Sequence, residues 1–434
     1  MGRGGGQRVT TTYRKGEDGE LEQVASEVYG DPSKGSLLWS ANPGLPTSGK
    51  IKAGKQLIIP GARPLDTLTG KERDDLTVII DGIHVPVMSA RVVRTIDTGA
   101  DGWSARIAWT PGQFPKLDHA TRPYGYPRAA VYLGNELVVG GCLYTVEPEM
   151  TTDGMTKGLH GFSFTADAID STVQPPYEFN GVTLKQLANA LLPPLGIKAV
   201  WECDPGPAFG KVTANETESI FAFLSKLASQ RGILVSCTPQ GDMLFLRAAV
   251  DSKSIGTVQE GGRFAVGWKA RYDGRLRYNQ YRCITKSSSK TGKVLDWKSP
   301  AYSANGSTTR NRAVVIEPDD TVPRSRWITF HADDTTPGDI RNAAKWKKNR
   351  QFVQALTQEF PVSDWYGPDG KLWRPNTIVT VISPTLGVPQ GFDFLIRAVE
   401  FRWDDSREAT LSLVPPQAYT GKDIGEVWTS AQGQ

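Results

Sequence analysis

Residues that carry chemistry are scarce in this chain of 434 residues. Its four histidines, His84, His119, His160 and His331, lie far apart with no carboxylate or second histidine at ligand spacing. Neither H-E-x-x-H nor G-x-S-x-G occurs. The four cysteines, Cys142, Cys203, Cys237 and Cys283, form no C-x-x-C and no zinc-type spacing, so buried, reduced thiols are expected. No run approaches the ~18 consecutive apolar residues of a membrane span, so no membrane anchor is expected. The first residues lack the apolar core of a secretory leader, and position 6 is glycine where myristoylation needs Ser or Thr. Synthesis and folding in the cytoplasm are therefore expected. A net charge of +4 is too small to argue for a nucleic-acid or membrane partner.

Carboxylates fare no better as catalysts. The pairs Asp74-Asp75, Asp319-Asp320, Asp333-Asp334 and Asp404-Asp405 fall in predicted turns or strand ends, where Asp serves backbone hydrogen bonding. The residues assign no catalytic, cofactor-binding or metal-ligating position, imply no cofactor, and leave binding residues unknown. The expectation is a protein that is not an enzyme.

Glycine (45) and proline (29) are plentiful, which favours a turn-rich β protein, and 39% apolar with 22% charged residues is ordinary for a globular chain. The length suggests roughly three domains. The strongest local signal spans 213–247. Asn215 with Glu218 three residues on reads as a capping box. Ile220, Phe221, Leu224, Leu227 and Ala228 share one helical face, and Gly232 closes the helix. Residues 233–237 and 243–247 then read as a hairpin across Pro239-Gln240-Gly241-Asp242. A one-sided helix beside two strands is scaffold.

In chain order, 1–12 is a Gly/Arg-rich tail and 13–61 a small block of strand, helix, helix and strand ending in Gln56-Leu57-Ile58-Ile59-Pro60. Within it, 44–50 has P-loop spacing, but Ile51 stands where Ser or Thr is needed and a strand follows, so phosphate binding is rejected. A polar linker, 62–75, leads to short strands punctuated by Asp81-Gly82, Gly134-Asn135 and Asp153-Gly154. Six or more strands at regular spacing imply a barrel or sandwich. Thr183 and Gln186 form a second capping box ahead of Leu184, Leu187, Ala188, Leu191 and Leu192, with Pro193-Pro194 as the stop. Residues 263–335 return to β. Pro337 opens a helix whose Arg341, Lys345, Lys347, Lys348 and Arg350 read as a solvated face or a row of intersubunit salt bridges. Four more strands fill 355–414.

Two resemblances add to this. Y-G-D-P at 29–32, the L-W-x-A-N-P-G-L run at 38–45 and the closing I-K-A-G-K-Q-L-I-I-P resemble a LysM domain, although the usual Gly-Asp-Thr-Leu opening is replaced by residues 16–21. The resemblance implies docking within a tail or binding to peptidoglycan glycans. Residues 76–420 resemble the baseplate hub proteins of contractile-tailed phages, the Mu-type and late-control family. The resemblance rests on Asp81-Gly82-Ile83 with S-A-R-V-V-R-T-I-D-T, on F-N-G-V-T-L-K-Q-L-A-N-A-L-L-P-P-L-G-I and on E-S-I-F-A-F-L-S-K-L-A-S-Q-R-G-I-L. It continues through D-G-K-L-W-R-P-N-T-I-V-T-V, F-L-I-R-A-V-E-F and T-L-S-L-V-P-P-Q-A-Y.

The fold class this implies is α+β, mainly β: a LysM-like module, then two tail-tube-like β-barrel domains with a mixed α/β insert. The domains are a flexible tail 1–12, the LysM-like domain 13–61, linker 62–75, first barrel 76–172 and insert 175–250. A β-rich connecting region 251–349 completes the first barrel and the insert, followed by the second barrel 350–420 and a tail 421–434. The implied function is a structural hub of the virion's tail baseplate: a homotrimer whose six barrels adapt the sixfold tube to the threefold central spike. Its implied partners are the tube protein, the spike and the baseplate wedge proteins, with DNA only passing through the lumen. The alternatives are a LysM-anchored peptidoglycan-binding or wall-degrading tail protein, and the hub of a phage-derived injection system.

Overall fold

Alternating apolar positions write nearly half of the described residues as strand. In the computed structural model, Leu76, Val78 and Ile80 of one five-residue strand are buried while Thr77 and Ile79 are less so. The structure describes residues 11–14, 56–59, 76–152, 154–262, 264, 267–285, 314–332, 337–385, 388–404 and 406–419. The chain divides into two units, Met1–Met88 with Arg106–Leu159, and Ser89–Ala105 with His160–Gln434.

In the first unit, β1 (Thr11–Arg14) pairs antiparallel with β2 (Gln56–Ile59). Thr11 and Thr12 are thus strand residues, with Ile59 and Ile58 opposite them; the rest of the expected tail, 1–10, lies outside the described residues. The helices expected between these strands, and the P-loop-like 44–50, lie outside the described residues. Then come β3 (Leu76–Ile80), β4 (Ile83–Val85), β5 (Val87–Thr95), β6 (Gly102–Ala108), α1 (Pro115–Ala120), β7 (Arg128–Leu133), β8 (Glu136–Thr151) and β9 (Gly154–Ser163). The unit boundaries fall inside β5, β6 and β9. Strands β8, β7, β3 and β4 pair in that order, and Asp81 (φ 47°) with Gly82 (φ 77°) makes the expected tight β3–β4 turn.

The second unit opens with the mixed insert: α2 (Ala166–Asp170), β10 (Glu178–Val182), α3 (Leu184–Leu191), β11 (Ala199–Trp201), β12 (Phe209–Thr213), α4 (Ile220–Gln230), β13 (Leu234–Cys237) and β14 (Met243–Leu246). Its core joins Leu184, Leu187, Leu192, Phe223, Leu224, Leu227, Val235 and Phe245, all buried. Each such side chain contributes roughly 1.5–3 kcal/mol relative to exposure. The box at α3 is complete: Thr183 accepts from Gln186 N at 3.2 Å, and Gln186 accepts from Thr183 N at 2.8 Å.

The box expected at Asn215 does not start α4. Asn215 N donates to Glu218 Oε2 at 3.1 Å, but in a turn, and the N-cap is Ser219, whose hydroxyl accepts from Ala222 N at 3.2 Å. The cause is a long-range pairing: Val173 N donates to Glu218 O and Ile220 N to Ser171 O, which holds 218–219 out of the helix.

The remaining elements are β15 (Ser254–Gln259), β16 (Lys269–Tyr272), β17 (Gln280–Thr285), β18 (Val314–Pro318), β19 (Trp327–Ala332), α5 (Pro337–Ala355), β20 (Leu356–Val362), β21 (Ile378–Ser383), β22 (Val388–Trp403) and β23 (Arg407–Val414). Strands β16, β20, β23, β22 and β5 pair in order; β21 pairs with β22, and β15 runs parallel to β21. Strands β18, β17 and β19 form a separate sheet. Ile340, Ala343 and Ala344 of α5 pack against its Cys283, Val315 and Phe330, and Val353 joins a second core with Leu395 and Val414. Of the basic residues expected to form a solvated face or a row of intersubunit salt bridges, Arg341 is exposed, Lys345, Lys347 and Arg350 are partly exposed, and Lys348 is buried. Lys348 is 8% exposed; its ammonium reaches Pro318 O at 3.3 Å and Glu317 at 3.6 Å. The protein is mainly β, as its sequence suggests.

Candidate assembly site

The residues with potential chemistry stay apart. His84 lies on β4, His119 on α1 beside Arg122, His160 on β9 and His331 on β19. Among the described residues, no three His, Cys, Asp or Glu side chains gather to hold a metal. None of the four cysteines is in a disulfide, and burial pushes the Cys237 thiol well above its ordinary value. Asp319 is buried in an ion pair with Arg277 at 2.8 Å, and Asp404 accepts from Ser406 N; both serve structure.

A buried polar cluster forms on residues 95–101, from the end of β5 up to β6, a stretch the sequence touched only through the S-A-R-V-V-R-T-I-D-T run. Asp101 is 2% exposed, and its carboxylate accepts from Arg94 Nε at 3.1 Å and Thr95 N at 3.0 Å. Burial raises its pKa above the ordinary carboxylate value, with the neighbouring Arg94 guanidinium opposing the shift. Its backbone exchanges bonds with Ser163, and Ser236 Oγ of the insert donates to Thr95 O at 2.6 Å. Asp97, on the same loop, accepts from Arg397 Nε at 3.1 Å and from the Tyr419 hydroxyl at 3.2 Å. Ile96 sits in the core shared by Leu234, Leu246, Leu395 and Val414. One loop therefore ties the end of β9, the insert and β22 together.

Glycine closes the approach. Gly99 has φ +77°, and a Cβ there would stand 2.2 Å from the Phe221 ring of α4. Gly232, just after α4, would place a Cβ 2.1 Å from the Trp346 ring of α5. The insert's exit is held by Asn376, itself at φ 62°: its side chain accepts from Ala249 N at 2.8 Å and donates to Arg247 O at 3.1 Å. In the sequence Gly99-Ala100-Asp101 reads as an ordinary turn after the S-A-R-V-V-R-T-I-D-T run.

The two segments so clamped match known proteins. Residues 165–247 match the second domain of "Baseplate hub protein gp44-like", and residues 336–422 the fourth domain of "Mu phage baseplate assembly protein GpP". Both segments are thus similar to domains of Mu-type baseplate proteins. The baseplate hub protein gp44 of Escherichia phage Mu is 27% identical over 256 residues, which cover 57% of this chain and 64% of that protein. The chain thus spans just under two-thirds of that hub. The 43 kDa tail protein of prophage MuSo2 from Shewanella oneidensis shares the fold at a TM-score of 0.63 and 23% identity, over 80% of this chain and all of that one. The tail protein from Neisseria meningitidis MC58 does so at 0.65 and 17%, over 80% of this chain and 98% of that one. The relatives are structural baseplate and tail proteins, and the hub-family segments coincide with the insert and with α5 through β23.

Proposed function

We propose that this protein is the structural hub of a contractile-tail baseplate. Three copies form a ring that joins the sixfold tube to the threefold spike, bordered by wedge proteins and open for DNA to pass. The supporting observation is the placement of both hub-family segments in one unit, locked to each other by the 95–101 loop and by Gly232 against Trp346. A hub must hold its domains at fixed angles, and these contacts tie the two segments to each other at several points. Strands β16 and β4 each have one partner among the described residues, β20 and β3, so each leaves an edge that ring closure would cover.

Native mass spectrometry over a concentration series tests the ring. The expected species is three times the 47.4 kDa chain. A monomer at every concentration, alone and with a purified tube or spike protein, would sink the reading.

A further inference from the structure

The first unit displays its own apolar side chains: Met88, Phe114, Tyr124, Tyr126 and Met150 are all exposed. Tyr124 is 86% exposed and has φ 61°; Tyr126 is 58% exposed and has φ 46°. Bulky residues avoid this left-handed region, so the loop holds two rings in solvent against its own backbone preference. Its ends are fixed. Thr121 is fully buried, donating to Leu117 O and accepting from Lys157 Nζ at 3.0 Å. Pro127 is buried too, and its carbonyl accepts from Leu143 N at 3.0 Å. The Tyr126 ring meets the edge of Tyr144 on β8, with centroids 6.0 Å apart. Strained, rigid and exposed aromatics are the form that a preorganised contact takes.

The exposed charges within 115–127 have one sign. Lys116 and Arg122 are exposed, while Asp118, the one acid in 115–127, is turned to Trp109 Nε1, Gly112 N and Lys157. The complementary chemistry lies on the same unit at the far end of β8. There Glu147, Pro148, Glu149 and Met150 are all exposed, Met150 at 76%. Glu149 pairs with Arg106 where both side chains are half exposed, an arrangement that a new partner can exchange cheaply. Met150 is six residues beyond Tyr144 on one continuous strand, or about 20 Å, so hairpin tip and loop are well separated along β8.

We propose that the Tyr124–Tyr126 loop of one copy docks on the 147–150 hairpin tip of a second copy. The tyrosine rings cover Pro148 and Met150, and Lys116 and Arg122 face Glu147 and Glu149. A contact between two different patches is heterologous and closes into a ring when the rotation permits. The proposal rests on the hub reading and supplies one of its subunit contacts, outside both family-matched segments.

Full-length Tyr124→Cys and Met150→Cys variants are mixed one to one and oxidised. The expected product is a disulfide joining the peptide that spans position 124 of one chain to the peptide that spans position 150 of the other, in the mixture and in neither variant alone. Sedimentation velocity on the wild type, on Tyr124→Ser/Tyr126→Ser and on Met150→Ser should show association weakened at least about tenfold in both variants. Tyr124→Asn, which tolerates the left-handed backbone, should weaken association while melting no lower than the wild type, which excludes misfolding as the cause. A wild-type trimer that all variants retain, with no cross-link, overturns this contact and leaves the hub reading standing. A wild-type monomer at every concentration, alone and with a purified tube or spike protein, with no cross-link, overturns both.

Discussion

The clamp between the 95–101 loop and α4 makes a quantitative demand at Gly99. Gly99→Ala places a β-carbon where φ is +77°, which costs about 1–2 kcal/mol in backbone conformation alone. The same carbon falls 2.2 Å from Cε2 of Phe221, well inside contact distance, and overpacking of this kind costs about 1–3 kcal/mol more. The total is about 2–5 kcal/mol. In a Phe221→Ala background the ring is gone, and only the backbone cost of about 1–2 kcal/mol should remain. The coupling between the two sites should therefore be about 1–3 kcal/mol, with the double variant less destabilised than the sum of the singles. Guanidinium unfolding followed by tryptophan fluorescence reads this, since Trp103, Trp346, Trp365 and Trp373 all lie in the second unit. If Gly99→Ala costs under about 1 kcal/mol, or costs the same with and without the Phe221 ring, the close approach argued for this loop is wrong.

Other sites give further checks. Asn376→Ala loses two backbone hydrogen bonds and the left-handed tolerance of asparagine, for about 2–3 kcal/mol; Asn376→Gly should recover roughly the backbone part, and equal losses in the two variants would count against the αL argument. Ser219→Ala should cost about 1 kcal/mol and Asn215→Ala close to nothing, which calorimetry of the two variants separates. The raised pKa of Asp101 gives a signed pH effect: its folded form holds the proton more tightly than the unfolded chain. Its stabilising contribution is present below the unfolded carboxylate range and is lost as pH rises through the folded value. The wild type should lose stability relative to Asp101→Asn as pH rises from about 4, and a gain over that window would reverse the assignment. Tyr124→Gly should stabilise the isolated chain by about 1 kcal/mol through release of backbone strain, read as a raised melting temperature.

What was legible in the sequence was local. The β13–β14 hairpin follows from the Pro239–Asp242 turn, and the α3 start from Thr183 and Gln186, because each signal and its hydrogen bonds lie within a few residues. The α4 start was misread for a physical reason. Asn215 and Glu218 exchange the bonds that look like a helix start, yet 171–173 pair with 218–220 and no window around 215 contains them. Strand β8 also resisted local reading. Gly140-Gly141 looks like a break, but Ala130 and Ala129 stand opposite and carry the strand through. The basic residues of α5 read as a solvated face or a row of intersubunit salt bridges, and the packing of the helix on the β17–β19 sheet and a second core buries one of them, Lys348.

The 95–101 loop shows why structural contacts between distant segments are hard to see in a sequence. An enzyme reveals itself by residues whose chemistry is unusual at a given spacing. Here the decisive residues are two aspartates, an isoleucine and a glycine in seven positions, each unremarkable alone. Their partners Ser163, Phe221, Ser236, Arg397 and Tyr419 come from segments as far as 322 residues away. Such a clamp works by rigidity: Asp97 fixes β22, Asp101 fixes the end of β9, and Gly99 lets α4 close over the turn. Loosening any one of the three should therefore free the insert to move against the strands before it unfolds either. Under the hub reading, Gly99→Ala should then impair assembly of the ring at temperatures where the chain is still folded, and native mass spectra of that variant should show monomer where the wild type gives trimer.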